Sequence, residues 1–200
     1  MDQLTALRID LAKRSKWNIG YFGAGFLYWC FAAISGSLLP IETAKFYWMI
    51  GGFTIFPVAI LLFRLVGSDP FTRGNALGNL IGLTHVSLIG LLMPLVIVCF
   101  IQFPQGLPLA AAICFGVSFP VFFWAFGGYI FLLHIIVRVA GATVLWFVLP
   151  DARYTVLPAF IAVMYFLTML VIPRRREAWL RAHDPVATMQ EGSATKGKVS

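Results

Sequence analysis

Long apolar stretches separated by short polar connections dominate the chain, and the pattern predicts helices that cross a bilayer. A hydrocarbon core of about 30 Å requires about 20 apolar helical residues. Six stretches meet that length, at roughly 19–39, 46–66, 79–102, 108–127, 129–149 and 154–172. The expected fold is all-α, a polytopic transmembrane bundle of six spans filling 19–172. Only Gly127-Gly128 divides the fourth stretch from the fifth, so that turn must be tight; a re-entrant or broken segment is the alternative there. Residues 1–18 are polar, and Leu4, Leu7 and Leu11 mark the apolar stripe of a short basic amphipathic helix. Residues 173–200 read as a basic tail, with Arg174–Arg176 followed by the anchors Trp179 and Leu180, and disorder is expected after about 184.

Composition agrees: 60% of residues are hydrophobic and 12% charged, which leaves no room for a soluble domain. The net charge of +7 arises from residues beside the spans, so the expected partners are the bilayer and anionic headgroups rather than nucleic acid. With the N-terminus inside, the cytoplasmic side carries ten basic residues, from Arg8 to Arg181, against Lys45 and Arg153 opposite. The positive-inside rule then puts both termini in the cytoplasm of a multi-pass inner-membrane protein. No cleavable signal peptide is expected, and the first span acts as a signal anchor. Cys30, Cys99 and Cys114 lie inside spans without CxxC spacing and read as small packing residues.

Prolines 57, 94, 120 and 158 punctuate the spans and can free carbonyls for a ligand or water. Gly20, Gly23 and Gly25, the Ser35-Gly36-Ser37 run, and Gly74, Gly78 and Gly82 predict close helix packing. Glu42 is expected to pair locally with Lys45.

The fifth span carries the most informative residues. Arg138 sits near its middle with His134 four residues earlier, so both share one helix face. No Asp or Glu occurs inside any span, so the guanidinium has no obvious counter-ion. His85 enters the third span at a depth matching His134. If the two helices are neighbours, Arg138, His134 and His85 converge, with Asn79, Trp124, Thr84, Ser118 and Tyr129 nearby in depth and Asp69 the nearest carboxylate. The leading expectation is a small permease or channel with a polar or anionic solute pocket in the cytoplasmic half, with a homo-oligomer as the candidate assembly. One alternative is a structural, lipid-binding or partner-binding membrane protein without a solute path. A second is a b-type haem held by His85 and His134, with Arg138 near a propionate. Enzyme function is the weaker expectation: Ser118 and Ser87 are isolated without a motif, the spans hold no carboxylate pair, and two histidines with no nearby acid make a poor metal site.

Four segments also carry a resemblance. They are Leu39-Pro40-Ile41, the run Gly52-Phe53-Thr54-Ile55-Phe56-Pro57, the run Asn75-Ala76-Leu77-Gly78-Asn79-Leu80, and Phe119-Pro120 with its following aromatic cluster. Together they resemble a family of small bacterial integral membrane proteins of unknown function, over most of residues 1–172. The resemblance implies a helical bundle in the bacterial inner membrane and carries over no activity, substrate or site residue.

Overall fold

The computed structural model describes residues 2–184, and among them the regular structure is entirely helical. Helix α1 (Gln3–Ser15) opens on an Asp2 cap that accepts from the Thr5 amide at 2.6 Å. Lys16, Trp17 and Asn18 follow with φ of 50°, 56° and 57°, three successive left-handed residues. That conformation costs L-residues about 1–2 kcal/mol each. Burial of Trp17 among Phe126, Phe131 and Trp179 offsets it, and the turn redirects the chain into α2 (Ile19–Leu38).

Leu39 and Pro40 reverse the chain into α3 (Ile41–Leu65), and a loop leads to α4 (Ala76–Gln102). Asn75 caps α4 by accepting from the Leu77 and Gly78 amides at 3.0 and 3.1 Å. The fourth apolar stretch is two half-helices, α5 (Leu107–Cys114) and α6 (Phe119–Phe126), with a break at 115–118 inside it, while the tight turn forms at Gly127-Gly128. Gly127, with φ of 69°, turns the chain into α7 (Tyr129–Val148). Helix α8 (Arg153–His183) spans 31 residues and passes through Pro173, so the Arg174–Arg181 segment continues the last span as helix. The disorder expected after 184 lies outside the described residues.

Six helical segments are long and apolar enough to cross a membrane, Gln3–Leu38 counting as one and Pro104–Phe126 as another. Their large outward-facing residues, such as Leu91, Phe53 and Phe147, are apolar, as lipid-facing surface requires. Helix α2 is central and packs on α3 and α8, while α7 packs on α8 and α6, and α4 on α5. Close approach depends on glycine: a methyl group at Gly36 would lie 1.9 Å from the Tyr154 carbonyl oxygen. The Gly74, Gly78 and Gly82 steps behave otherwise. Gly78 accommodates Thr72 of the preceding loop, and Gly74 and Gly82 face open space.

Both termini of the described chain lie at one end of the bundle, tied there by α1. Ile9, Leu11 and Ala12 are buried against it; of the apolar stripe, Leu11 packs on the protein's own helices, Leu7 is half-buried and Leu4 is exposed. Arg14 bonds Asp69 at 2.6 Å, Asn75 donates to the Leu7 carbonyl and to Asp10, and Lys13 pairs with Asp184. At the far end Lys45 pairs with Glu42, as expected.

Candidate functional site

Helices α7 and α8 form a hairpin whose facing sides carry two polar rungs. The His134/Arg138 pair, four residues apart, meets Thr168 and Tyr165, three apart on the antiparallel neighbour. Arg138 Nη1 donates to the Tyr165 hydroxyl at 3.0 Å. His134 Nδ1 lies 2.7 Å from the Thr168 hydroxyl, which itself donates to the Met164 carbonyl at 2.8 Å. A hydroxyl has a single proton to give, so the histidine donates through Nδ1 and its Nε2 is the bare acceptor. The imidazole stacks on Phe119 at a ring separation of 4.4 Å.

Arg138 is wholly buried. The rings of Trp29, Tyr165 and Phe119 surround its guanidinium, with centroids 5.2, 5.4 and 5.9 Å away. Each such contact contributes about 0.5–2 kcal/mol. Nε and Nη2 have no hydrogen-bond partner, and no carboxylate lies within ion-pair reach among the described residues. The α5–α6 break brings main chain close: a methyl at Gly116 would stand 3.4 Å from Nε and 2.5 Å from the end of Ile135. The tight contact there is with Ile135, while Arg138 stands at ordinary van der Waals distance.

His85 belongs to a second group. Its Nδ1 is 2.7 Å from the Ser118 hydroxyl, at the start of α6. Tyr21 meets the ring edge-on at 4.8 Å, and Phe122 stacks on it at 5.7 Å. Phe119 and Phe122 stand between the two histidines in a ladder of rings. The imidazoles thus share no gap for an iron, and these residues do not fit a bis-histidine haem.

The structure therefore unites Arg138 with His134 and sets His85 apart. Asn79 is exposed and faces away from both groups, whereas Asn75, one turn earlier, is the buried cap. Trp124 is half-exposed and serves Arg8, which donates to its carbonyl at 2.6 Å and lies over its ring. Tyr129 is exposed against Phe123, and Asp69 belongs to the α1 tether. Sequence reasoning missed Tyr165 and Thr168. The signal was present, because a connection as short as 149–152 makes α7 and α8 antiparallel neighbours.

A cleft of about 430 Å³ opens between α3 and α4. Met49, Gly52 and Phe56 line one wall, Val86, Ile89 and Met93 the other, and Ala111 and Phe115 of α5 form the floor. Its polar groups are His85, Tyr21 and Tyr28, the last donating to the Trp48 carbonyl at 3.3 Å. Exposed Phe53, Phe56 and Val86 form the rim, so the cleft faces the lipid side. Phe46 against Phe100, with centroids 5.0 Å apart, closes its far end. Neither Arg138 nor His134 lines it.

Six apolar crossings, a discontinuous helix and a buried polar centre define an integral membrane protein of the helical-bundle class. The chain belongs to a family of unknown function, DUF7010, whose model matches residues 4–175. No curated protein and no solved structure matches it.

Proposed function

We propose that this membrane protein binds a bilayer-soluble molecule, with an apolar body and a polar oxygen at one end, in the cleft between α3 and α4. The observation that carries the reading is the cleft itself. Its volume falls in the range of small-molecule sites, about 300–1,000 Å³. Its walls are apolar, and among its few polar groups is His85, whose Nδ1 is 2.7 Å from the Ser118 hydroxyl. Entry is lateral, past Phe53 and Phe56, so the ligand comes from lipid. The geometry supports binding over conduction, because the cleft walls are apolar and Arg138, buried behind aromatic rings, does not line them. The basic residues of α1 and the end of α8 support a cytoplasmic location for that end in an inner membrane, with exposed Arg174 and Arg175 against anionic headgroups.

Gly90 lines the cleft and a Cβ there meets nothing within 4 Å, so Gly90→Trp adds bulk at the cleft without a clash at its attachment point. A photoactivatable long-chain alcohol in proteoliposomes is expected to label Met49, Met93 and His85 in the parent and to lose those sites in Gly90→Trp. Labelling spread evenly over outward residues such as Leu91 and Phe147, unchanged by Gly90→Trp, would refute the cleft as a binding site.

A further inference from the structure

We infer that the cleft's ligand is a long-chain acid, and that its carboxylate is received by Arg138 once the Phe115 ring turns aside. The inference rests on the cleft reading above and deepens it. Arg138 is a wholly buried cation with its Nε and Nη2 hydrogens unpaired. A charge in that state is strongly disfavoured in an apolar interior, and the described residues offer no carboxylate to it. Its complement has to come from outside the helices.

The cleft and the cation are one residue apart along the chain. Phe115 lines the cleft, and Gly116 lies against Arg138 Nε. The Phe115 ring packs on Tyr28 and on Trp29, the same Trp29 that covers the guanidinium. Its tip points toward Gly52 of α3, where a methyl group would stand 3.7 Å away, so space exists on that side. Phe115 also sits in the α5–α6 break, where the main chain is held by turn hydrogen bonds instead of a continuous helical ladder. A side chain there can rotate without unwinding a helix.

A carboxylate suits Arg138 better than a phosphate. It is planar and matches the guanidinium fork with two parallel hydrogen bonds. Its single negative charge neutralises one arginine, whereas a dianionic phosphate would leave excess charge about 13 Å from the membrane-end residue Tyr129, nine residues away. The alkyl tail then lies along the apolar walls, between Met49 and Met93.

The test uses tryptophan quenching by brominated amphiphiles, because Trp48 lines the cleft and Trp29 covers Arg138. The purified full-length protein is titrated near pH 8, where a free carboxyl is ionised, with 9,10-dibromostearic acid and with the corresponding alcohol. The acid is expected to bind about ten-fold or more tightly than the alcohol, a difference of about 1.4 kcal/mol. Arg138→Gln should bring the acid to the alcohol's affinity and leave the alcohol unchanged, and Phe115→Ala should keep the acid's advantage or enlarge it. Equal affinities in the parent, or an advantage that survives Arg138→Gln, overturn the inference. Should Arg138→Gln not fold, Phe115→Trp decides: loss of the acid's advantage alone supports the route past Phe115, and its retention overturns it. Gly90→Trp separates the two levels. Loss of both probes there sustains the cleft whatever Arg138 does, while undiminished binding of both removes the cleft and this inference with it.

Discussion

At the scale of single residues, the core holds one polar rung whose side-chain donors are paired and one in which two donors are not. His134 gives its proton to Thr168, which passes its own to Met164, so that chain of bonds is closed on the donor side. Thr168→Val removes the acceptor and leaves a buried imidazole N–H without a partner. The expected loss is about 1–3 kcal/mol, read from the unfolding midpoint in detergent. Arg138 is the opposite case, because its Nε and Nη2 lack hydrogen-bond partners and no carboxylate faces it among the described residues. Arg138→Met keeps the aromatic cage packed and removes the buried charge. Delipidated Arg138→Met is therefore expected to be more stable than the parent, by about 1 kcal/mol or more. A marked loss of stability would show that the three rings and Tyr165 already compensate the cation, and that its role is structural. The stability of the free protein is then traded for a site, a pattern common where function needs a poised charge.

At the scale of helices, glycine decides which pairs approach and which surfaces stay open. Gly36→Ala sets a methyl 1.9 Å from the Tyr154 backbone oxygen, which no side-chain rotation relieves, so α2 and α8 must separate. A loss of about 2–4 kcal/mol is expected, at the upper end of single-residue effects. Gly82→Ala, inside α4 and facing open space, should instead gain a few tenths of a kcal/mol to about 1 from helix propensity. Thermal unfolding of the pair separates packing from propensity, and equal shifts would refute the argument. The same elements show what the sequence disclosed. The starts of the spans at Ile19, Ala76, Tyr129 and Arg153 lie within a few residues of the apolar boundaries, because span length is dictated by the bilayer. The break at Phe115–Ser118 was legible only as an alternative, since Pro120 signalled a kink and sits in the first turn of a new helix. His134 and Arg138 were legible as a pair through their spacing. Asn79 and Trp124 were grouped with them by depth, yet depth does not fix rotation about the helix axis, and both face outward. Tyr165 and Thr168 escaped notice because a tyrosine and a threonine do not stand out among apolar neighbours until the α7–α8 hairpin brings them opposite two basic groups.

At the scale of the whole molecule, α1 is a tether that fastens one end of the bundle, and its strength depends on pH. Helices α3 and α4 are joined there by the 66–75 loop, and Arg14 holds that loop through Asp69 at 2.6 Å and through the Arg73 carbonyl at 3.0 Å. Lys16 reaches the Val66 carbonyl, and the Asp69 amide returns a bond to the Arg14 carbonyl at 2.9 Å. Burial works to raise the Asp69 pKa, but the Arg14 hydrogen bond and the backbone N–H groups of Phe71 and Thr72 outweigh it and hold the group below the ordinary carboxylate value. A carboxylate with a lowered folded pKa adds stability that is complete above its unfolded pKa and is lost as pH falls through the folded one. The tether should hold at neutral pH and loosen below about pH 4. Trp17 reports this, because it is buried where α1 meets α2 and lies against Phe126, Phe131 and Trp179. Its emission is expected to shift to longer wavelength on acidification, and pepsin, which is active in that range, should gain access to the chain around Trp17. In Asp69→Asn, Arg14 keeps Asp10 at 3.4 Å, so the acid step should shrink rather than vanish, and the tether should already be looser at pH 7. An acid step of undiminished size in Asp69→Asn would move the control elsewhere in the molecule. The 66–75 loop joins α3 to α4, the two walls of the cleft, so a loosened tether is expected to widen the cleft. Quenching of Trp48 by dibromostearyl alcohol, which carries no charge of its own, should then increase as pH falls in the parent and change less in Asp69→Asn.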